Sequence, residues 1–96
     1  MPFDPANERR SAKRRRVDEP ATIEHDSRAE KCIVRDISAR GVQLVLESPP
    51  APNTEVGLMV PPVGFLTAHV KWRAGNRAGA VLSAVSPAAE ERIRKI

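Results

Sequence analysis

Tyrosine is absent from this 96-residue chain, and its only aromatic residues are Phe3, Phe65 and Trp72. A row of platforms for stacking single-stranded nucleic acid therefore has nothing to be built from. Cys32 is the one cysteine, which excludes an internal disulfide, and no Cys/His spacing is of metal-ligand type; both fit a reducing interior, with Cys32 a small core residue. His25, near a turn, and His69, on a polar face, have no Cys, Asp or Glu at ligand spacing, so neither metal nor cofactor is expected. No apolar run approaches the roughly 18 residues that span a bilayer. The start Met1-Pro2-Phe3-Asp4-Pro5 lacks the charged-then-apolar order of a signal peptide. The expected location is the cytoplasm, without membrane insertion. Catalysis is not expected either: Ser38 has no histidine base close by, and Asp36 has no second carboxylate poised for acid/base work.

A chain of this length is one domain with one modest core. Hydrophobic residues make up 41% of it, and they are mostly Val, Ile, Leu and Ala, so the core must come from aliphatic packing. The formal charge of +4 favours anionic partners without choosing among nucleotide, nucleic acid and membrane surface. Its location says more, because Arg9, Arg10, Lys13, Arg14, Arg15 and Arg16 crowd into one short segment.

From Val17 onward the apolar residues alternate with a period near two, the pattern of half-buried strands. Val42, Leu44 and Leu46 share one face against Gln43, Val45 and Glu47; Leu66, Ala68, Val70 and Trp72 share another against Thr67, His69, Lys71 and Arg73. On that face Trp72 reads as a core anchor rather than a ligand platform. Turn clusters at Glu19-Pro20, His25-Asp26-Ser27, Ala39-Arg40-Gly41, 48–53, 61–64 and Gly75-Asn76 punctuate the runs. The spacing predicts six strands, near 18–25, 30–37, 41–47, 54–60, 65–73 and 77–84, with no helical stretch between them for βαβ units. A mainly β fold follows, with closure into a barrel to remove exposed edges. The tail changes period: Ser86 suits an N-cap, Pro87 the first helical position, and Ala89, Ile93 and Ile96 line one side of a short helix that covers an open end of the barrel.

Two polar segments stand apart from this core pattern. In the basic run only Arg10 and Arg14 place arginine at both ends of a four-residue spacing. Each guanidinium is a planar fork suited to phosphate or to the O6/N7 edge of guanine. The bland alternative is a solvated arm that touches nucleic acid or acidic lipid without specificity. In the turn Asp36-Ile37-Ser38-Ala39-Arg40-Gly41, Asp36 and Ser38 project the same way if locally extended, with Ile37 turned to the core. Asp36 then accepts from guanine N1–H and N2–H. Gly41 permits positive φ and close backbone approach. The bland alternative here is a strand connection whose polar groups cap local backbone.

The pairing R-x-x-x-R followed by [D/N]-x-S-x-x-G resembles the PilZ domain, a bacterial receptor for the second messenger cyclic di-GMP. Val70-Lys71-Trp72-Arg73 and Arg77-Ala78-Gly79-Ala80 also resemble the last strands of small members of that family. The resemblance implies a six-stranded antiparallel PilZ-type β-barrel with a short C-terminal α-helix: a lead at 1–7, then a domain at 8–96 made of a basic arm at 8–16, a barrel at 17–85 and a helix at 86–96. It implies that Arg10 and Arg14 take the phosphates and the Hoogsteen edge of guanine, that Asp36 and Ser38 hold the base, and that Gly41 shapes the turn. Arg9 and Arg15 flank the motif as candidates to assist. Arg15 and Arg16 depart from the apolar residue common after the motif, which leaves one or two ligands per chain open. The implied function is a receptor whose arm becomes ordered on cyclic di-GMP and which signals to a protein partner in trans. The rival readings are a PilZ-fold adaptor that needs no ligand and a small basic barrel that binds nucleic acid.

Overall fold

The computed structural model describes residues 15–96. Six strands follow in chain order, β1 (Arg15–His25), β2 (Arg28–Ile37), β3 (Gly41–Val45), β4 (Glu55–Val60), β5 (Gly64–Ala74) and β6 (Arg77–Ser83), and a helix, α1 (Pro87–Lys95), ends the chain. They close an antiparallel barrel in the order β1-β2-β3-β6-β5-β4. The expected architecture is therefore the one observed. Strand β1 begins at Arg15, so Arg15 and Arg16, read from the sequence as part of the arm, are its first two residues.

Alternation builds the interior. Val42 and Leu44 of β3, with Leu46 just beyond it, face inward, as do Val56, Leu58 and Val60 of β4 and Leu66, Ala68 and Val70 of β5. Ile23, Val34, Ile37 and Leu44 are fully enclosed, and each such side chain contributes about 1.5 to 3 kcal/mol relative to exposure. Cys32 is buried among them, and burial, with a smaller contribution from Glu30, pushes its thiol up to about 11.

Tight turns hold the register. Asp26 and Ser27, between β1 and β2, both have positive φ, as a type I′ hairpin requires at its two central residues. Gly75, with φ of +62°, opens the β5–β6 turn and fixes Ala74 opposite Arg77. At the C-terminus the Ser86 hydroxyl accepts from the Ala89 N–H at 3.1 Å, Pro87 follows the cap, and Ile93 is buried with Ala89 and Ile96 packed beside it. Arg92 ties the helix to the β4–β5 turn by donating to the Val63 carbonyl at 3.3 Å. Among the described residues no helix is long and apolar enough to cross a membrane.

Candidate functional site

The turn between β2 and β3 is built by Ser38. Its backbone N–H donates to the Gly41 carbonyl at 2.9 Å, and its Oγ accepts from the N–H groups of Arg40 at 3.1 Å and Gly41 at 3.2 Å. Ser38 is 4% exposed. Its acceptor capacity thus serves the turn, and the hydroxyl hydrogen is what it has left to offer a ligand. Ile37 is fully enclosed in the core, as the sequence pattern requires. Gly41 departs from expectation in one respect: its φ is not positive. Glycine is needed because β3 starts there against β6, and a Cβ would stand 3.1 Å from the Ala80 carbonyl oxygen.

Strand register carries the site outward from this turn. A bulge between Val34 and Asp36 sets Asp36 opposite Gln43, Gln43 stands opposite Gly79, and Gly79 opposite Trp72. Asp36, Gln43, Gly79 and Trp72 therefore form one row across β2, β3, β6 and β5. Gln43 alternates with the buried Val42 and Leu44, so the row runs along the outer face. Two strand spacings, about 10 Å, separate Asp36 from Gly79.

Trp72 is not the core anchor that alternation predicts. The β5–β6 register shifts between Val70 and Trp72, and this bulge puts one extra residue into β5. The inward phase ends at Val70, and Trp72 is 41% exposed on the outside. Its indole lies over Gly79, where Nε1 and Cε2 occupy the space a Cβ would need. The result is a cleft of about 530 Å³, with Ser38, Arg40, Gly41 and Gln43 on one side and Trp72, Lys71 and Val81 on the other. Gln43 and Trp72 are the members of this constellation that the motif reading passed over. The signal for Trp72 was present in the hairpin: counting back from Gly75-Asn76 sets Trp72 against a residue with no side chain.

Strand β1 brings its first residues to the same row, with Arg15 opposite Ile37 and Arg16 opposite Asp36. Asp18, in a positive-φ conformation at the β1 bulge, holds Arg35 at 3.0 Å and Arg16 at 3.5 Å. Arg9, Arg10 and Arg14 lie outside the described residues. Ser38 and Gly41 are thus brought together in the cleft, Asp36 lies in the row that crosses it, and the described chain starts beside that row. Among the described residues no group of His, Cys, Asp or Glu could hold a metal ion.

Residues 8–96 match the family model of the PilZ domain. Among solved structures the barrel is similar to the Bacillus subtilis inhibitor of motility MotI/DgrA, with a TM-score of 0.71 and 13% identity, covering 92% of this chain and 48% of that one. It is also similar to K. pneumonia MrkH in its apo state, with a TM-score of 0.60 and 17% identity, covering 85% of this chain and 46% of that one. The chain spans about half the length of these proteins, and at such identities the likeness is one of fold. A search of curated proteins gives no match.

Proposed function

The chain belongs to the PilZ domain family, and on that premise we propose that it is a receptor for cyclic di-GMP that binds its ligand without turning it over. The observation that carries this reading is the row of Asp36, Gln43 and the Gly79-seated Trp72, adjoining the Ser38–Gly41 turn. A guanine laid on the indole turns its N1–H and N2–H edge toward Asp36, with the Gln43 amide between them as a further donor and acceptor. Stacking of a base on an aromatic ring supplies about 1 to 3 kcal/mol. Arg10 and Arg14 take the phosphates and the Hoogsteen edge as the basic segment closes over the ligand, with Arg9 and Arg15 at its margins. Fixing that segment costs about 1 to 2 kcal/mol per residue, and charge-assisted hydrogen bonds worth about 1.5 to 3 kcal/mol each offset it. The closed segment then presents a changed surface to a protein partner.

Calorimetric titration with cyclic di-GMP, with GTP and a short DNA duplex as controls, tests the reading. The expected result is saturable binding of the dinucleotide alone. Binding of DNA with a steep salt dependence and no response to cyclic di-GMP would replace the receptor with a nucleic-acid binder.

A further inference from the structure

We propose that the groove over β1, β4 and the start of β5 is a docking site for an extended segment of a partner protein that presents an arginine side chain to Phe65. In the barrel order β1-β2-β3-β6-β5-β4, the β1–β4 pair lies opposite the β3–β6 pair that carries the cleft. This groove, of about 600 Å³, shares no lining residue with the cleft, and its case does not depend on cyclic di-GMP.

Phe65 is 57% exposed, the most exposed of the large hydrophobic residues among those described. Its ring tip covers Gly57 of β4, with Cζ 2.6 Å and Cε1 3.0 Å from where a Cβ would stand. Glu24 stands opposite Gly57 on β1, and Glu55 lies two residues along β4 on the same face. Both carboxylates line the groove and both side chains are exposed. Among the described residues neither has an ion pair or a side-chain hydrogen bond. An exposed aromatic ring beside two carboxylates that outnumber the one arginine of the groove suits a cation, and the planar guanidinium stacks where a compact ammonium does not.

Three further features select a polypeptide over a free cation. The groove is larger than one guanidinium requires. Strands β1 and β4 pair only through Thr22, Ile23 and Glu24 opposite Met59, Leu58 and Gly57, so their ladder stops before Val56 and Glu55, and both line the groove where an extended segment would continue it. Finally, Met59, opposite Phe65, adds exposed apolar surface for a neighbouring side chain of the partner. Arg28, at the β1–β2 end of the groove, supplies donors for the partner's carbonyl oxygens and repels a second cation there.

The test is an amide NMR titration of the 15N-labelled protein, without nucleotide, at low salt. The probes are the peptides acetyl-Val-Arg-Val-amide and acetyl-Val-Gln-Val-amide. The expected result is a shift of the Glu24, Gly57, Phe65 and Thr67 resonances with the arginine peptide only. Affinity falls about fivefold in Phe65→Ala and about fivefold in the double variant E24Q/E55Q, with spectral dispersion unchanged in both. Equal shifts with the glutamine peptide, shifts centred on Asp36–Gly41, or unaltered affinity in Phe65→Ala overturn the proposal. So does movement of the same resonances with protein concentration alone, which assigns the groove to a second copy of this chain.

Discussion

Strand β5 carries two aromatic rings on the outside of the barrel, and each lies over a glycine of a neighbouring strand: Trp72 over Gly79 of β6, Phe65 over Gly57 of β4. The packing device is the same, and the charged surroundings differ. Trp72 shares its cleft with Arg40, Lys71 and the Ser38–Gly41 turn, and the row beneath it ends at Asp36. Phe65 shares its groove with Glu24 and Glu55. The same ring-on-backbone seat thus meets two different sets of polar neighbours, and on the readings proposed above those neighbours favour a guanine phosphodiester on one side and a cation on the other.

The largest effects that separate the two sides come from charged residues of the cyclic di-GMP reading. Arg10→Ala, Arg14→Ala and Asp36→Ala each raise the calorimetric Kd for the dinucleotide by roughly 10- to 150-fold, about 1.5 to 3 kcal/mol, with the barrel folded. Unchanged affinity in all three would remove the site assignment. Trp72→Ala weakens the same binding by about 1 to 3 kcal/mol. Because Trp72 is the only tryptophan, its fluorescence in the parent protein reports ligand directly. If the indole is a platform, saturating ligand changes that emission; a constant spectrum argues against stacking.

The interior shared by both sides responds to alkali. The Cys32 thiol is pushed up to about 11 in the folded protein from an ordinary value of 9.0. The unfolded chain therefore ionises first, and stability present below pH 9 declines toward pH 11 by about 2 kcal/mol. Denaturation of the parent and of Cys32→Ala across that range checks it: the variant lacks this part of the slope.

Smaller again is the effect of filling the seats. Gly79→Ala and Gly57→Ala each force a ring to move and cost about 1 kcal/mol, read as a lower Tm. Only Gly79→Ala shifts tryptophan emission. Smallest of all, Phe65→Ala leaves the cyclic di-GMP affinity within about twofold, since it lies at the other end of β5 from Trp72 and lines none of the cleft. A larger change would couple the two surfaces.

Most of the barrel was legible because alternation and turn chemistry agree. Gln43 flanked by Val42 and Leu44, or Ser86 followed by Pro87, leave little choice of structure. Trp72 was misread for a definite reason. Alternation assumes one residue per step, and the bulge after Val70 adds one that no composition signal marks. Gly41 shows the reverse case: its need for glycine was visible, but the cause is the Ala80 carbonyl across the sheet, not its own φ. The Asp36–Gln43 pairing was hidden by a second bulge in β2, since register shifts surface only when both strands are seen together.

The short union of β1 with β4 has a dynamic consequence. It joins strands far apart in the chain, as the β3–β6 pair also does, but through three residue pairs where β3–β6 has five, so it has the least to hold it once formed. Its amides at Thr22 to Glu24 and Gly57 to Met59 exchange with solvent ahead of the β5–β6 hairpin. The shortest ladder of the barrel is thus where local opening is expected, beside the Phe65 groove.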